Sequence, residues 1–194
     1  MDLAATTYAW RWLARMEPDR LVRDVGAGRI TLRRADITTL QVDAIVNAAN
    51  SSLAGGGGVD GAMHRAAGRE LLTELRERYA RCPTGSAVIT SAGRLNARYV
   101  IHAVGPRWRD GGRDEPALLA SAYRSAFALA AEHACVTVAA PSIGTGIYGF
   151  PIERAAPIAI EEARSALSSD GTSLREITFA LFSQADLEVF ARAL

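Results

Sequence analysis

The stretch NAANSSLAGGGGVDGAMHRAAG, residues 47–68, sets four consecutive glycines between an asparagine-rich turn and a helical pattern. Glycine leaves backbone N–H groups open to a ligand, and the first turn of a helix adds partial positive charge. A strand, a glycine loop and a helix in that order make a cradle for phosphate. The order occurs twice. Gly55, Gly56, Gly57 and Gly58 precede a helix opened by Val59 and Asp60; Ser142, Ile143, Gly144, Thr145, Gly146, Ile147, Tyr148 and Gly149 lie between a strand ending near Ala140 and a helix after Pro151. Either loop alone also fits a tight surface turn. Two of them, each ahead of a helix, suit a diphosphate.

Outward from these loops, residues 30–34, 44–47, 86–91, 99–103, 136–140 and 177–182 are short apolar runs that read as strands. Residues 59–80 carry Met63, Ala66, Ala67, Leu71, Leu72, Leu75 and Tyr79 as a helical stripe interrupted near Gly68. Residues 115–132, 152–167 and 185–194 read as further helices, two of them announced by Pro116 and Pro151. The alternation predicts an α/β fold, a largely parallel sheet covered by helices on both faces. Strands 86–91 and 99–103 lie too close for a helical crossover, so that part of the sheet is expected to be antiparallel. Residues 1–28, arginine-rich with aromatic residues and one short helix over 7–15, read as an N-terminal extension ending at Gly26-Ala27-Gly28. Residues 29–194 then form the single domain.

The composition is that of an ordinary globular protein, 49% hydrophobic and 22% charged over 194 residues. A formal net charge of +1 provides no global field for nucleic acid or an anionic membrane, so an anion must be held by local geometry. Two cysteines, Cys82 and Cys135, give no disulfide framework, and with three scattered histidines they give no zinc spacing. No metal is expected. With no disulfide framework, a reducing cytoplasm is the expected compartment; the N-terminus lacks the uninterrupted apolar core of a signal peptide, and no apolar run approaches the ~18 residues of a membrane span.

Both loops satisfy G-x-G-x-x-G, through Gly56, Gly58, Gly61 and through Gly144, Gly146, Gly149. A nicotinamide-binding reading fails on context, because eight residues separate the first loop from its strand and only one strand follows the second. Neither loop carries the G-K-[ST] of a P-loop. Asn47, Asn50 and Asp60 bracket the first loop, where a compact cradle brings them near a ligand and where asparagine can both donate to and accept from a sugar hydroxyl. The alternatives are an Asx turn for Asn50 and an N-cap for Asp60. His64 lies one turn after Asp60, on the same side of the helix. Asp36, just past a strand, either accepts from an exocyclic amine or caps a turn. Phe182 is either core or a platform for a base. Tyr148, an aromatic inside a glycine turn, is expected to be exposed.

With these residues assembled, the chain from about Ile30 to the C-terminus resembles the macrodomain family, and within it the MacroD-like ADP-ribosyl hydrolases and O-acetyl-ADP-ribose deacetylases. The resemblance rests on Ala35-Asp36-Ile37-Thr38, Val46-Asn47-Ala48-Ala49-Asn50, Gly56-Gly57-Gly58-Val59-Asp60, His64-Arg65-Ala66-Ala67-Gly68, Val104-Gly105-Pro106 and the loop from Ser142 to Pro151. It implies a three-layer α/β/α fold with a mixed, mostly parallel six-stranded sheet. It places the adenine amine on Asp36, with Ile37 beside it and Phe182 near the base. The backbone of Gly56, Gly57, Gly58 and Val59 and the loop from Ser142 to Tyr148 hold the diphosphate. Asn50 and Asp60 face the distal ribose, with Asn47 supporting and His64 near the helix turn. The implied partners are ADP-ribose, ADP-ribosylated proteins and O-acetyl-ADP-ribose, with no cofactor. The implied activity is removal of mono-ADP-ribose from acidic side chains, deacetylation, or both, by a water that Asp60 positions. The rival within the family is a reader that binds ADP-ribose without hydrolysis.

Overall fold

The computed structural model describes residues 19–194. The helix expected over 7–15 falls outside them. The first element, β1 (Arg20–Val25), turns through Gly26 and pairs antiparallel with β2 (Gly28–Arg34). The chain continues through a short 3-10 turn at Ile37–Thr39, β3 (Ala44–Ala48), α1 (Gly58–Ala67), α2 (Arg69–Arg78), β4 (Ala87–Ser91) and β5 (Tyr99–Ala103). It ends with α3 (Glu115–Glu132), β6 (Thr137–Ala140), α4 (Ile152–Ser168), β7 (Glu176–Leu181) and α5 (Gln184–Ala193).

The sheet has seven strands in the order β1-β2-β7-β6-β3-β5-β4. This corrects the expected six. The added strand is β1, which lies wholly within the residues read as an extension, where Arg20, Arg23 and Asp24 break the apolar pattern. An edge strand needs only one neighbour and tolerates such charges, which also discourage pairing with a further chain. The five central strands are parallel, and only the edge pairs β1–β2 and β4–β5 are antiparallel. The second of these is the pair expected from its short connection.

Side chains alternate across the sheet with period two. Ala44 and Val46 of β3, Ile101 of β5, Val138 of β6 and Phe179 of β7 join the larger core under α3, α4 and α5. Ile45, Val100, Ala139 and Ala180 point the other way, to Met63 and Ala67 of α1 and Leu71 of α2. Helices thus cover both faces, in three layers. The interruption near Gly68 is real: Gly68 has φ +98° and serves as the last cap of α1 and the first of α2. No described helix is long and apolar enough to cross a membrane.

Because the central strands are parallel, their carboxyl ends gather along one edge. In open α/β sheets that edge collects ligands. Here it carries Asp36 after β2, Phe182 after β7, the loop of residues 142–150 after β6, the loop of residues 49–57 after β3, and Gly105 to Arg107 after β5.

Candidate functional site

A cleft of about 480 Å³ opens at this edge, lined by Asn50, Gly56, Gly57, Gly58, Val59, Asp60, Ser142, Ile143, Gly144, Gly146, Ile147 and Tyr148, together with Gly105 and Arg107. Both glycine loops border it. A groove of similar size between α3 and α4, near Arg124, Glu162 and Asp170, gathers none of the motif residues.

The second loop is fixed from below. The hydroxyl of Tyr123 on α3, fully buried, donates to the Pro141 carbonyl at 2.9 Å and accepts from the Ile143 N–H at 2.8 Å. Burial pushes the Tyr123 phenol above its ordinary range, so it stays a neutral donor. The loop closes on itself through Gly149 N–H to Gly146 O and Phe150 N–H to Gly144 O, and Trp108 N–H ties it to Tyr148 O. Between these anchors, the N–H groups of Gly144, Thr145, Gly146, Ile147 and Tyr148 have no protein partner among the described residues. Ser142 Oγ is buried and equally unpartnered.

The first loop repeats this feature. The N-cap of α1 is Gly57, without a side-chain bond, and the N–H groups from Gly55 to Asp60 have no protein partner among the described residues. These are the orphan donors of a helix N-terminus, and the helix dipole adds to them. The two runs of free donors border one cleft, a surface built for an anion with many acceptor oxygens. Arg107 supplies a cation at its rim, its guanidinium 4.7 Å from the centre of the Tyr148 ring. The glycines also have local reasons. Gly58 has φ +58°, a conformation that side chains disfavour, and a Cβ on Gly56 would press to 3.2 Å from Asp60 Oδ2.

Asp60 is 6% exposed and occupies the third position of α1, so the N-cap alternative is not realised. Its Oδ1 accepts from Asn47 Nδ2 at 2.8 Å and lies 3.3 Å from His64 Nε2. Among the described residues its Oδ2 has only Asn50 Nδ2, at 3.4 Å. Asn50 itself builds the loop: Nδ2 donates to Gly55 O, and Oδ1 accepts from Ser52 Oγ and the Ala54 N–H. Asn50 thus braces the loop and touches Asp60, but its Oδ1 reaches the Ser52 hydroxyl and the Ala54 N–H rather than the Ser52 N–H, so the Asx turn is not formed. Asn47, Asn50 and His64 all contact Asp60.

At the far end, Asp36 Oδ1 caps the 3-10 turn by accepting from Thr38 N–H and Thr38 Oγ1, while Oδ2 makes no hydrogen bond among the described residues. Ile37 is buried, its side chain packed in the core. β7 stops at Leu181, one residue before the expected end, and Phe182 stands 93% exposed. Parallel pairing of Arg34 with Leu181 brings the Asp36 and Phe182 segments side by side.

Three residues of the site region carried no sequence signal. Arg107 directly follows Val104-Gly105-Pro106, but its residue type alone does not mark it. His102 and Thr90 lie on β5 and β4 and join Asn47 beneath α1: Asn47 Nδ2 is 3.2 Å from His102 Nδ1, and His102 Nε2 is 3.0 Å from Thr90 Oγ1. Burial, helped by the nearby His64, drives the His102 imidazole down to about 3. It is neutral in the fold, whereas an unfolded histidine takes up a proton below about pH 6.5. The stability that depends on this neutral form is complete above pH 6.5 and drains as pH falls toward 3. Denaturant melts at pH 7.5 and 5.0 should therefore differ by on the order of 2 kcal/mol from this group, a difference that His102→Leu removes. An unchanged pH difference in the variant would rule out His102 as its source.

Residues 46–159 match the family model described as Macro domain. The chain is 54% identical over 168 residues to a macro domain-containing protein of Caldanaerobacter subterraneus, covering 85% of this chain and 95% of that one. It is 50% identical to a protein of Pantoea vagans named O-acetyl-ADP-ribose deacetylase 1, covering 86% and 98%. Among solved structures, an Oceanobacillus iheyensis macrodomain with ADP superposes with a TM-score of 0.83 at 37% identity, covering 90% of this chain and 94% of that one. A Trypanosoma brucei macrodomain in complex with ADP-ribose gives 0.78 at 40% identity, covering 84% and 68%. With a family match over more than half of the chain and relatives of this identity over 85% of it, the chain belongs to the macrodomain family.

Proposed function

We propose that the protein binds ADP-ribose in this cleft and hydrolyses mono-ADP-ribosyl esters of acidic side chains, O-acetyl-ADP-ribose, or both. The observation that carries the reading is the pair of runs of N–H groups, without a protein partner among the described residues, that border one cleft with a buried carboxylate whose Oδ1 is held by Asn47 at 2.8 Å and whose Oδ2 has a longer contact with Asn50 at 3.4 Å. The Pantoea relative named O-acetyl-ADP-ribose deacetylase 1 and the macrodomain structures with ADP and with ADP-ribose support it. The diphosphate lies between the two runs, with the Arg107 charge beside it. Asp36 Oδ2 accepts from the adenine amine, the Ile37 N–H donates to the ring, and Phe182 offers its face. The distal ribose then reaches Asn50 and Asp60.

Asp60 Oδ1 is occupied by Asn47, so Oδ2 is the oxygen that receives a water. In ester cleavage the water oxygen bonds to the anomeric carbon, the carbon–oxygen bond to the acyl group breaks, and the side-chain carboxylate departs. Deacetylation places the same water on the acyl carbon; the bond from that carbon to the ribose oxygen breaks, acetate departs, and the ribose oxygen leaves as a hydroxyl with the proton that Asp60 took from the water. In both, Asp60 orients the water and accepts its proton, a role worth typically ~10²- to 10⁴-fold. The test is release of free ADP-ribose from a transferase auto-modified on acidic residues, run beside O-acetyl-ADP-ribose. Product from at least one is expected; tight binding without product from either would make the protein a reader.

Affinity should also depend on both halves of the diphosphate. AMP lacks the second phosphate and the distal ribose, and losing two charge-assisted hydrogen bonds weakens binding by about 10²-fold relative to ADP-ribose. Equal calorimetric affinities for the two ligands would contradict a cradle made of both loops.

A further inference from the structure

The alternation of β3, β5 and β4 places three polar side chains on the face under α1. Asn47 and His102 are direct partners in the β3–β5 register, and Thr90 belongs to the adjoining strand. All three are essentially sealed from solvent, at 0%, 0% and 1% exposure. A core position ordinarily goes to an apolar residue, and buried polar groups are retained where they are hydrogen-bonded to one another. This row leads from the sheet interior to Asp60.

Its polarity is set from the inner end. Thr90 Oγ1 has backbone carbonyls to donate to, Ser91 O at 3.0 Å and Val100 O at 3.5 Å, which leaves its lone pairs for the His102 Nε2–H. With the proton on Nε2, Nδ1 is an acceptor and takes one hydrogen of Asn47 Nδ2; the other goes to Asp60 Oδ1. The opposite orientation of the Asn47 amide would aim its oxygen at two acceptors. The amide adopts the orientation that satisfies Nδ2 although Asn47 Oδ1 is left buried without a partner among the described residues. That unpartnered oxygen marks how strongly the two acceptors fix the group.

We propose that His102 is a positioning residue for the hydrolytic centre: its unprotonated Nδ1 locks the Asn47 amide, which holds Asp60 by Oδ1 and leaves Oδ2 facing the cleft. The inference rests on the hydrolase reading given above. Burial, which keeps the imidazole neutral, maintains the acceptor at any pH where the reaction runs. Without it, the Asn47 amide is free to turn, and Asp60 can present either oxygen to the water.

Three substitutions separate this role from core packing. His102→Leu keeps bulk and removes the acceptor; His102→Asn restores an oxygen acceptor near the Nδ1 position; His102→Gln carries its polar group only near the Nε2 position. A reacting group displaced by ~1 Å can cost up to about 10²-fold, so kcat per folded molecule should fall at least ~10-fold in His102→Leu and His102→Gln, with ADP-ribose Kd within about threefold. His102→Asn should recover most of the loss. The inference is overturned if kcat in both His102→Leu and His102→Gln stays within about twofold of the parent, if kcat and affinity fall together, or if His102→Asn does no better than His102→Leu. Should His102→Leu fail to fold, His102→Gln and His102→Asn carry the comparison. Failure of the hydrolase reading looks different, because the parent protein then releases no ADP-ribose. The positioning is still read from the Asn47 side-chain amide protons by NMR. They should exchange slowly in the parent and lose that protection in His102→Gln but not in His102→Asn, and unchanged protection in His102→Gln would overturn it.

Discussion

Gly146→Glu is expected to abolish ADP-ribose binding while the protein remains folded. A Cβ added at Gly146 meets nothing within 4 Å, and the residue is not among the glycines with positive φ, so the backbone accepts a side chain there. The open space it enters is the cleft, between donors that have no protein partner among the described residues. The glutamate would bring bulk and a negative charge to the place of the diphosphate. Like charges at ~4 Å repel by about 4 kcal/mol at an effective dielectric constant near 20, before any steric term, which alone is about 10³-fold in affinity. Calorimetry and a melting curve on one preparation check it. Retained binding by a folded Gly146→Glu protein would move the diphosphate elsewhere.

Asp60→Ala should separate catalysis from binding. Removing the carboxylate takes away the group that orients the water, and hydrolysis should drop by roughly 10²-fold or more. The backbone donors of both loops and Asp36 remain, so ADP-ribose affinity should change by no more than about one hydrogen bond's worth, roughly 0.5–1.5 kcal/mol. Stability should fall as well. Asp60 accepts from Asn47 in the protein interior, and an unpaired buried amide donor costs about 1–3 kcal/mol. Turnover must therefore be normalised to folded protein. Full turnover per folded molecule in Asp60→Ala would remove Asp60 from the mechanism.

The strand–loop–helix order and the two glycine loops were legible because they are local. Each is a run of residue types with a physical meaning at short range, and parallel strands then bring the loops to one edge. The edge strand β1 was not legible, since Arg20, Arg23 and Asp24 erase the alternation that marks a strand, and its role depends on pairing with β2. Asp60 was found by residue type and position, yet its capping alternative could be rejected only from the actual start of α1 at Gly58. His102 shows the limit most clearly. It stands 55 residues from Asn47, in a strand that otherwise reads as apolar, and only the β3–β5 register makes the two neighbours. Phe182 reads equally well as the last core residue of β7, and the point where pairing stops decides its 93% exposure.

The measurement that bears most directly on the whole account is a crystal structure of the protein with ADP-ribose. It should place diphosphate oxygens about 2.7–3.2 Å from backbone nitrogens of both runs, Gly56 to Asp60 and Gly144 to Tyr148, with the distal ribose against Asp60 Oδ2. A diphosphate contacting only one loop, or a distal ribose turned away from Asp60, would contradict it.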